Sequence, residues 1–459
     1  MTLIKFYLHS KQLLKLAYPI LIAQLLQNLM GFSDTVMAGR VSATDMAAVA
    51  VASSVWFPLI LSIYGLILAL AAIVSQLAGA NRYDKVAKQT YQTGWIALFL
   101  SIVIIILYYL VKPLVFNNIQ LEFHLKTLMF SYLEFIIWGG PGFCLYLVLR
   151  NYSEGLSFTR PTMIISIIGV LINIPANYIF IYGKFGMPAL GGAGCGLATA
   201  IVYWSMFISM LIYCFRSKHL KKAYLFNNFH WPNWFAIKGI LSIGLPIAFS
   251  LLFEVSLFAV VAILLTPFGA NVVASHQIAL NYSSLVFMIP LSLASAVTIK
   301  VGTAIGKQKY QHAHDICRYA LLLGLGVALV TASVSIIFRT FIASIYTIDD
   351  SVINLASNLM LLAALFQFSD AIQVISAGAL RGYKDTKSIV IITFVSYWLI
   401  GLTIGVTLGL TDWFIPHLGA YGFWIGIIIG LTTAAILLTL RLKFIQGSIL
   451  ANKTNFAVG

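Results

Sequence analysis

Charged residues are scarce in this chain of 459 residues, at 9%, whereas a soluble domain carries about 25%. Only 13 residues are Asp or Glu, and 61% of the chain is hydrophobic. This balance excludes an extended soluble enzyme and a disordered chain. The four cysteines are isolated in apolar stretches without metal or redox spacing, which excludes a disulfide scaffold and predicts buried packing residues. We expect a polytopic membrane protein.

Motifs for catalysis or ATP use are also missing. There is no Walker lysine motif, so ATP does not drive this chain directly. His312 and His314 are predicted in one loop and the pair Asp349-Asp350 in another, and both loops are interpreted as solvated. We therefore expect no enzyme and no cofactor.

The net charge of +15 comes from 28 Lys and Arg, which occupy short breaks between apolar runs. That placement is typical of residues that orient a protein in the bilayer, and it does not indicate a nucleic-acid partner.

Apolar runs of about 20 residues predict membrane-spanning helices, and they are too long and uniform for a β-barrel. We predict an all-α protein with twelve such helices, at 14–37, 46–70, 92–111, 128–149, 162–182, 192–214, 239–265, 273–298, 317–338, 355–379, 388–410 and 420–440. The first run has no small-residue cleavage site after it, so we interpret it as a span and not as a signal peptide.

The basic residues predict the orientation and the division of the chain. With both termini on one side, that side holds 23 of the 28 Lys and Arg, so both termini are expected in the cytoplasm. The basic segment 215–238, with Lys221 and Lys222, is predicted to be a cytoplasmic linker between an N-lobe at 1–214 and a C-lobe at 239–459.

An internal repeat supports this division. An offset of 227 residues pairs Pro19 with Pro246 and Gly155 with Gly382, and other matches share that offset over about 175 residues. Because six spans bring each half back to its starting side, we expect two six-helix bundles related by a pseudo-two-fold axis along the membrane normal. Transporters built from such repeats hold substrate near the bilayer midplane.

Four acidic residues fall inside predicted spans: Asp34, Glu134, Glu254 and Asp370. A carboxylate at the bilayer centre costs roughly 2.5–3.5 kcal/mol on insertion scales, so each is a functional candidate by default. Glu134 has no polar stripe of its own, and we interpret it as structural.

The acids do not follow the repeat, since Asp34 aligns with Val261 and Asp370 with Phe143. The two halves should therefore divide the work. A pocket that holds Glu254 and Asp370 would suit Na+ or a proton.

Polar side chains at helical spacing line several spans and predict interior pockets, although interhelical hydrogen bonding is an alternative. In the N-lobe these are Gln27, Asn173 and Asn177. Aromatic and Met side chains could add a cavity for flat lipophilic cations, or they could face lipid. Candidates for the substrate cavity are Gln277, Asn281, Tyr282, Ser284, Phe287, Met288, Gln367 and Gln373, with Met30, Tyr64 and Trp138.

Four sequence runs resemble the NorM-type branch of the multidrug and toxic compound extrusion (MATE) family. They are EGLSFTRP at Glu154–Pro161, LRGYKDTK at Leu380–Lys387, the segment from Pro19 to Asp34, and NIPAN at Asn173–Asn177. The resemblance extends over roughly residues 10–445.

The resemblance implies a twelve-helix exporter of cationic drugs that is driven by inward Na+ or H+ gradients. By position, Asp34 matches the family's first-helix carboxylate, and Asn173, Asn177 and Thr199 match its neighbours. Glu254 and Asp370 match the C-lobe acids implicated in cation binding.

We therefore expect a multi-pass protein of the bacterial inner membrane that binds small cationic drugs or dyes and works as a monomer. A flippase for lipid-linked precursors is the alternative. It would be expected to have a cationic central cavity, whereas the charges in these spans are mainly acidic.

Overall fold

The protein is all-helical in a computed structural model that describes residues 3–118, 122–218, 220, 223, 225–412, 416 and 418–457. Within these ranges, twelve helices are long and apolar enough to cross a membrane, as the sequence predicts. Lys221 and Lys222 of the predicted linker lie outside the described residues.

The helices are longer than the predicted spans. They are α1 Leu3–Gly39, α2 Ala43–Gly79, α3 Tyr83–Asn118, α4 Phe123–Gly155, α5 Arg160–Tyr182, α6 Ala193–Arg216, α7 Trp234–Leu264, α8 Ala270–Gly306, α9 Tyr310–Tyr346, α10 Asp350–Tyr383, α11 Thr386–Leu410 and α12 Ala420–Ala457. A 3₁₀ turn follows α7 at Thr266–Phe268, and α11 contains a π-helical segment at Val395–Gly401.

The extra length comes from polar turns at the helix ends, which a search for apolar runs does not detect. The prediction that His312 and His314 lie in a loop is wrong, because both residues lie in the first turns of α9. Asp349 caps α10, and hydrogen bonds from the Ser351 hydroxyl and then its N–H hold the pKa of Asp349 below its usual value.

The chain forms two compact units, one of residues 22–248 and one of residues 1–21 with 249–459. Both breaks fall two residues after a proline inside a helix, Pro19 in α1 and Pro246 in α7. Proline removes a helical hydrogen bond and kinks the helix. The first part of each of these helices therefore belongs to a different unit from the rest of the helix.

In the unit 22–248, α4 is the central helix and contacts α2, α3 and α6. Gly155, at the end of α4, lies so close to α2 that an added Cβ would be 2.7 Å from Val74 Cβ. Cys144, Cys195 and Cys214 are buried and unbridged in this unit.

In the other unit, α10 is the central helix and contacts α8, α9 and α12. Gly382 lies in the last turn of α10, as Gly155 does in α4, and a Cβ there would be 2.9 Å from Val301 Cβ. Gly382 and Val301 are 227 residues after Gly155 and Val74, so the sequence repeat is also a repeat of close backbone packing. Cys317 is buried and unbridged, as predicted for all four cysteines.

Candidate functional site

Asp34 lies in the unit 22–248 with its carboxylate surrounded by hydrogen-bond donors. Asn173 Nδ2 and Asn177 Nδ2 of α5 donate to Oδ1 at 3.0 and 2.6 Å, and the Thr199 hydroxyl of α6 donates to Oδ2 at 2.9 Å. Asp34 itself is buried. Hydrogen bonds to an ionised group are the strong ones in proteins, so the three donors stabilise a charged carboxylate in a buried position.

Two further polar side chains, Cys195 and Gln27, belong to the helices that form this site. Cys195, one turn before Thr199, donates from Sγ to the Asp34 backbone carbonyl at 3.4 Å, a contact that the sequence interpretation missed. Its spacing from Thr199 places it on the same face of α6. Gln27 is two turns before Asp34 on α1, and its Nε2 has no hydrogen-bond partner among the described residues.

Asp370 and Glu254 lie in the other unit, in a different environment. Asp370 is 4% exposed, and Glu254 is partly exposed. Neither carboxylate receives a hydrogen bond from the residues that the structure describes, although the two groups are close enough to interact electrostatically. Arg381, at the end of α10, is within electrostatic range of Glu254.

Asp370 lines a small pocket between α8, α9 and α10, together with Phe287, Thr331 and Gln367. Gln367 Nε2 and the Tyr282 hydroxyl both bond to the Ser335 hydroxyl at 2.9 Å. The side-chain oxygen of Gln367 has no hydrogen-bond partner among the described residues. This unit therefore brings buried carboxyl and amide oxygens together without matching donors.

The remaining polar candidates occupy different surroundings. Gln277, Asn281 and Ser284 are exposed on one face of α8, and the Ser284 hydroxyl donates to the Asn281 carbonyl of its own helix. Gln373 is buried one turn after Asp370, and its side-chain oxygen also lacks a partner in the described part of the chain. Met288 is partly buried.

Three of the aromatic and Met candidates, Met30, Tyr64 and Trp138, belong to the unit 22–248. Met30 belongs to its buried core, Tyr64 packs against that core, and Trp138 is exposed. No residue of this group contacts Asp34 among the described hydrogen bonds and ring contacts.

Two ion pairs of the unit 22–248 differ sharply in burial. Glu134 pairs with Lys112, and their side chains are 42% and 29% exposed. Arg150 pairs with Glu154 at 2.7 Å, and these side chains are only 3% and 4% exposed. The sequence interpretation missed the second pair because it counted both residues with a loop.

The model of the MatE family matches residues 19–179 and 246–407 of this chain. The chain belongs to the MatE family. The resemblance predicted from the sequence is confirmed, and the two matched stretches begin at Pro19 and Pro246, 227 residues apart, as the repeat does.

Two relatives match this MatE family member over nearly its whole length. The multidrug resistance protein MdtK of Photorhabdus laumondii is 50% identical over 442 residues, which cover 96% of this chain and 97% of that protein. The probable multidrug resistance protein NorM of Shewanella oneidensis is 50% identical over 437 residues, which cover 95% of each.

A solved structure has the same fold. The MATE transporter VcmN of Vibrio cholerae, in its bent form, matches with a TM-score of 0.85 at 17% identity, over 97% of this chain and 98% of that chain. This MatE family member, with twelve helices in its described residues that are long and apolar enough to cross a membrane, is a multi-pass membrane protein.

Proposed function

We propose that the chain is a secondary active multidrug efflux antiporter that exports lipophilic or cationic compounds in exchange for inward Na+ or H+. Its relatives in Photorhabdus and Shewanella are a multidrug resistance protein and a probable one. The family consists of transporters, so the chain is not an enzyme. We further propose that it works as a monomer in the bacterial inner membrane, with both termini in the cytoplasm and the halves 1–214 and 239–459 as its lobes.

The observation that carries the coupling role is the contrast between the two acidic sites. Asp34 has three donors within 3.0 Å, whereas Asp370 is buried without any in the described residues. A buried charge without a partner costs several kcal/mol, so such a carboxylate binds a cation or carries a proton. Glu254 and Asp370 are therefore the proposed coupling site, for Na+ or for H+.

Asp34 has a second role in this proposal. Its donors already compensate the negative charge, so a cation that arrives there must compete with or rearrange them. We propose that Asp34, Asn173, Asn177 and Thr199 form a polar pocket whose ion occupancy differs between the states of the cycle. A coupling ion shifts that equilibrium only by its different affinity for the two states.

The proposed substrate cavity is lined by side chains of the unit that holds Asp370, namely Gln277, Asn281, Tyr282, Ser284, Phe287, Met288, Gln367 and Gln373. Apolar walls with one or two acids favour broad selectivity for lipophilic cations over one tight substrate. A flippase for lipid-linked precursors is the weaker candidate, because a pyrophosphate group needs cationic side chains and the unpartnered buried charge here is an acid.

The proposal is tested by ethidium efflux from cells that express Asp370→Asn, with Glu134→Gln as the matched control. Both changes neutralise a carboxylate in a predicted span, but Glu134 is half-exposed and paired with Lys112. We expect Asp370→Asn to abolish gradient-driven efflux and Glu134→Gln to retain it, with equal amounts of each protein in the membrane. Efflux at the wild-type rate in Asp370→Asn would overturn the coupling role.

The coupling ion is identified in vesicles with imposed gradients. Purified protein is reconstituted, and either a Na+ gradient or a pH gradient is applied while ethidium movement is followed by fluorescence. The gradient that drives uphill movement in wild-type protein, and no longer does so in Asp370→Asn, supplies the coupling ion. Ethidium movement that is independent of both gradients would refute antiport.

A further inference from the structure

We infer that the hydroxyl of Tyr397 is a further oxygen ligand of the cation that Glu254 and Asp370 bind, and that this cation is Na+. The inference rests on the proposed function, and it concerns a residue in α11 that no pattern in the sequence singles out. Tyr397 lies in the π-helical segment Val395–Gly401.

Tyr397 is fully buried, and its hydroxyl has no hydrogen-bond partner among the described residues. Leaving a buried polar group unsatisfied is unfavourable, so such groups are rare in native proteins and call for an explanation. Both Glu254 and Asp370 are within electrostatic range of this hydroxyl. A cation bound by the two carboxylates would also give this hydroxyl oxygen a partner.

Tyr397 is part of a buried hydrophobic cluster to which both acid-bearing helices contribute. It belongs to one hydrophobic cluster with Leu257 of α7 and Phe366 of α10. Leu257 is one turn from Glu254, and Phe366 is one turn from Asp370, so the cluster that contains Tyr397 reaches the parts of α7 and α10 that carry the acids.

The π segment is fixed on both sides. The Trp398 indole donates to the carbonyl of Phe253, the residue before Glu254, at 3.3 Å. On the opposite side, a Cβ on Gly426 of α12 would lie 2.5 Å from the Gly401 carbonyl oxygen, so the backbones are in direct contact. Single π turns are rare in proteins, but where they occur they are often at functional sites, and Tyr397 lies in this one.

The chemistry of these groups favours Na+. Hard cations take oxygen ligands, and no three His, Cys, Asp or Glu side chains come together in the part of the chain that the structure describes. Ligands beyond the two carboxylates must therefore be neutral oxygens. Tyr397 supplies one, and the unpartnered side-chain oxygens of Gln367 and Gln373 are on the face of α10 that carries Asp370.

The inference is tested by equilibrium binding of ²²Na+ to the purified full chain. Tyr397→Phe removes only the hydroxyl, and because that hydroxyl makes no hydrogen bond in the described residues, we expect folding to be retained. Tyr146→Phe is the matched control, since Tyr146 is also fully buried with an unpartnered hydroxyl, in the other unit. Asp370→Asn is measured beside them, with thermal unfolding of all variants.

We expect Tyr397→Phe to weaken Na+ binding by about tenfold or more, Tyr146→Phe to leave it unchanged, and Asp370→Asn to abolish it. Unchanged Na+ affinity in Tyr397→Phe, with binding lost in Asp370→Asn, would overturn the role of Tyr397 and leave the proposed antiport intact. Absence of Na+ binding in wild-type protein that still shows efflux driven by a pH gradient would overturn the inference as well.

Discussion

Thr199→Val isolates one hydrogen bond to the buried carboxylate of Asp34. The substitution keeps the shape of the side chain and removes a hydroxyl that donates at 2.9 Å. A hydrogen bond to a charged group contributes about 1.5–3 kcal/mol, because the buried carboxylate loses a donor that water does not replace. We expect the free energy of unfolding to fall by that amount.

Thermal unfolding in detergent measures this loss. A unit of 150–250 residues loses roughly 2–4 °C of melting temperature per kcal/mol, so Thr199→Val should unfold about 3–12 °C below the wild type. Thr90→Val is the control, since Thr90 is also buried in the same unit, and its hydroxyl donates to the Val86 carbonyl of its own helix and not to a carboxylate. Thr90→Val should shift the midpoint much less.

A double-mutant cycle decides whether the loss passes through the carboxylate. Asp34→Asn removes the charge that Thr199 stabilises, so Thr199→Val should cost much less in that background than in the wild type. Equal losses in both backgrounds, or equal shifts for Thr199→Val and Thr90→Val, would refute the interpretation of the Asp34 site as a charge held by its donors.

Two further predictions concern stability. Arg150→Ala should lower the free energy of unfolding by about 3–5 kcal/mol, because it leaves the buried carboxylate of Glu154 without its ion-pair partner. Lys112→Ala breaks an exposed pair and should lower it by at most about 1 kcal/mol. Both losses are measured by chemical unfolding, and similar values would contradict the burial argument. Gly426→Ala should destabilise the protein by about 1–3 kcal/mol, since the new Cβ meets the backbone of α11. Gly447→Ala is in the same helix, but its Cβ meets nothing within 4 Å, so it should be neutral or stabilising by up to about 1 kcal/mol. A Gly426→Ala protein as stable as the wild type in thermal unfolding would show that the two helices can separate.

Composition and apolar run length were sufficient to predict the fold class. In a bilayer, each backbone polar group must be satisfied within its own segment, so a long apolar run has only the helix available to it. The count of twelve followed from that constraint, and the repeat was visible because Pro19 and Pro246 occupy equivalent positions. Helix ends were less predictable, since polar terminal turns such as that of His312 continue the helix beyond the apolar run.

The sequence also identified the acids, because a charge within an apolar run stands out against its neighbours. It did not distinguish Asp34 from Asp370, since both are single carboxylates on polar helical faces. That difference depends on donors from other helices, which are 139 to 165 residues away from Asp34 along the chain. Helical periodicity indicates which residues share one face of a helix, but it does not indicate which other helix packs against that face.

Tyr397 shows the same limit most clearly. In the sequence it is one aromatic residue in an apolar run, with no spacing that sets it apart. Its burial, the π turn that contains it and its place in one cluster with residues of α7, α10 and α12 all arise from the packing of these helices. The sequence by itself determined that acidic side chains lie in apolar helices, where a charge is unfavourable. Only the tertiary structure decided which of these acids have hydrogen-bond donors, because the donors come from helices that are distant in the chain.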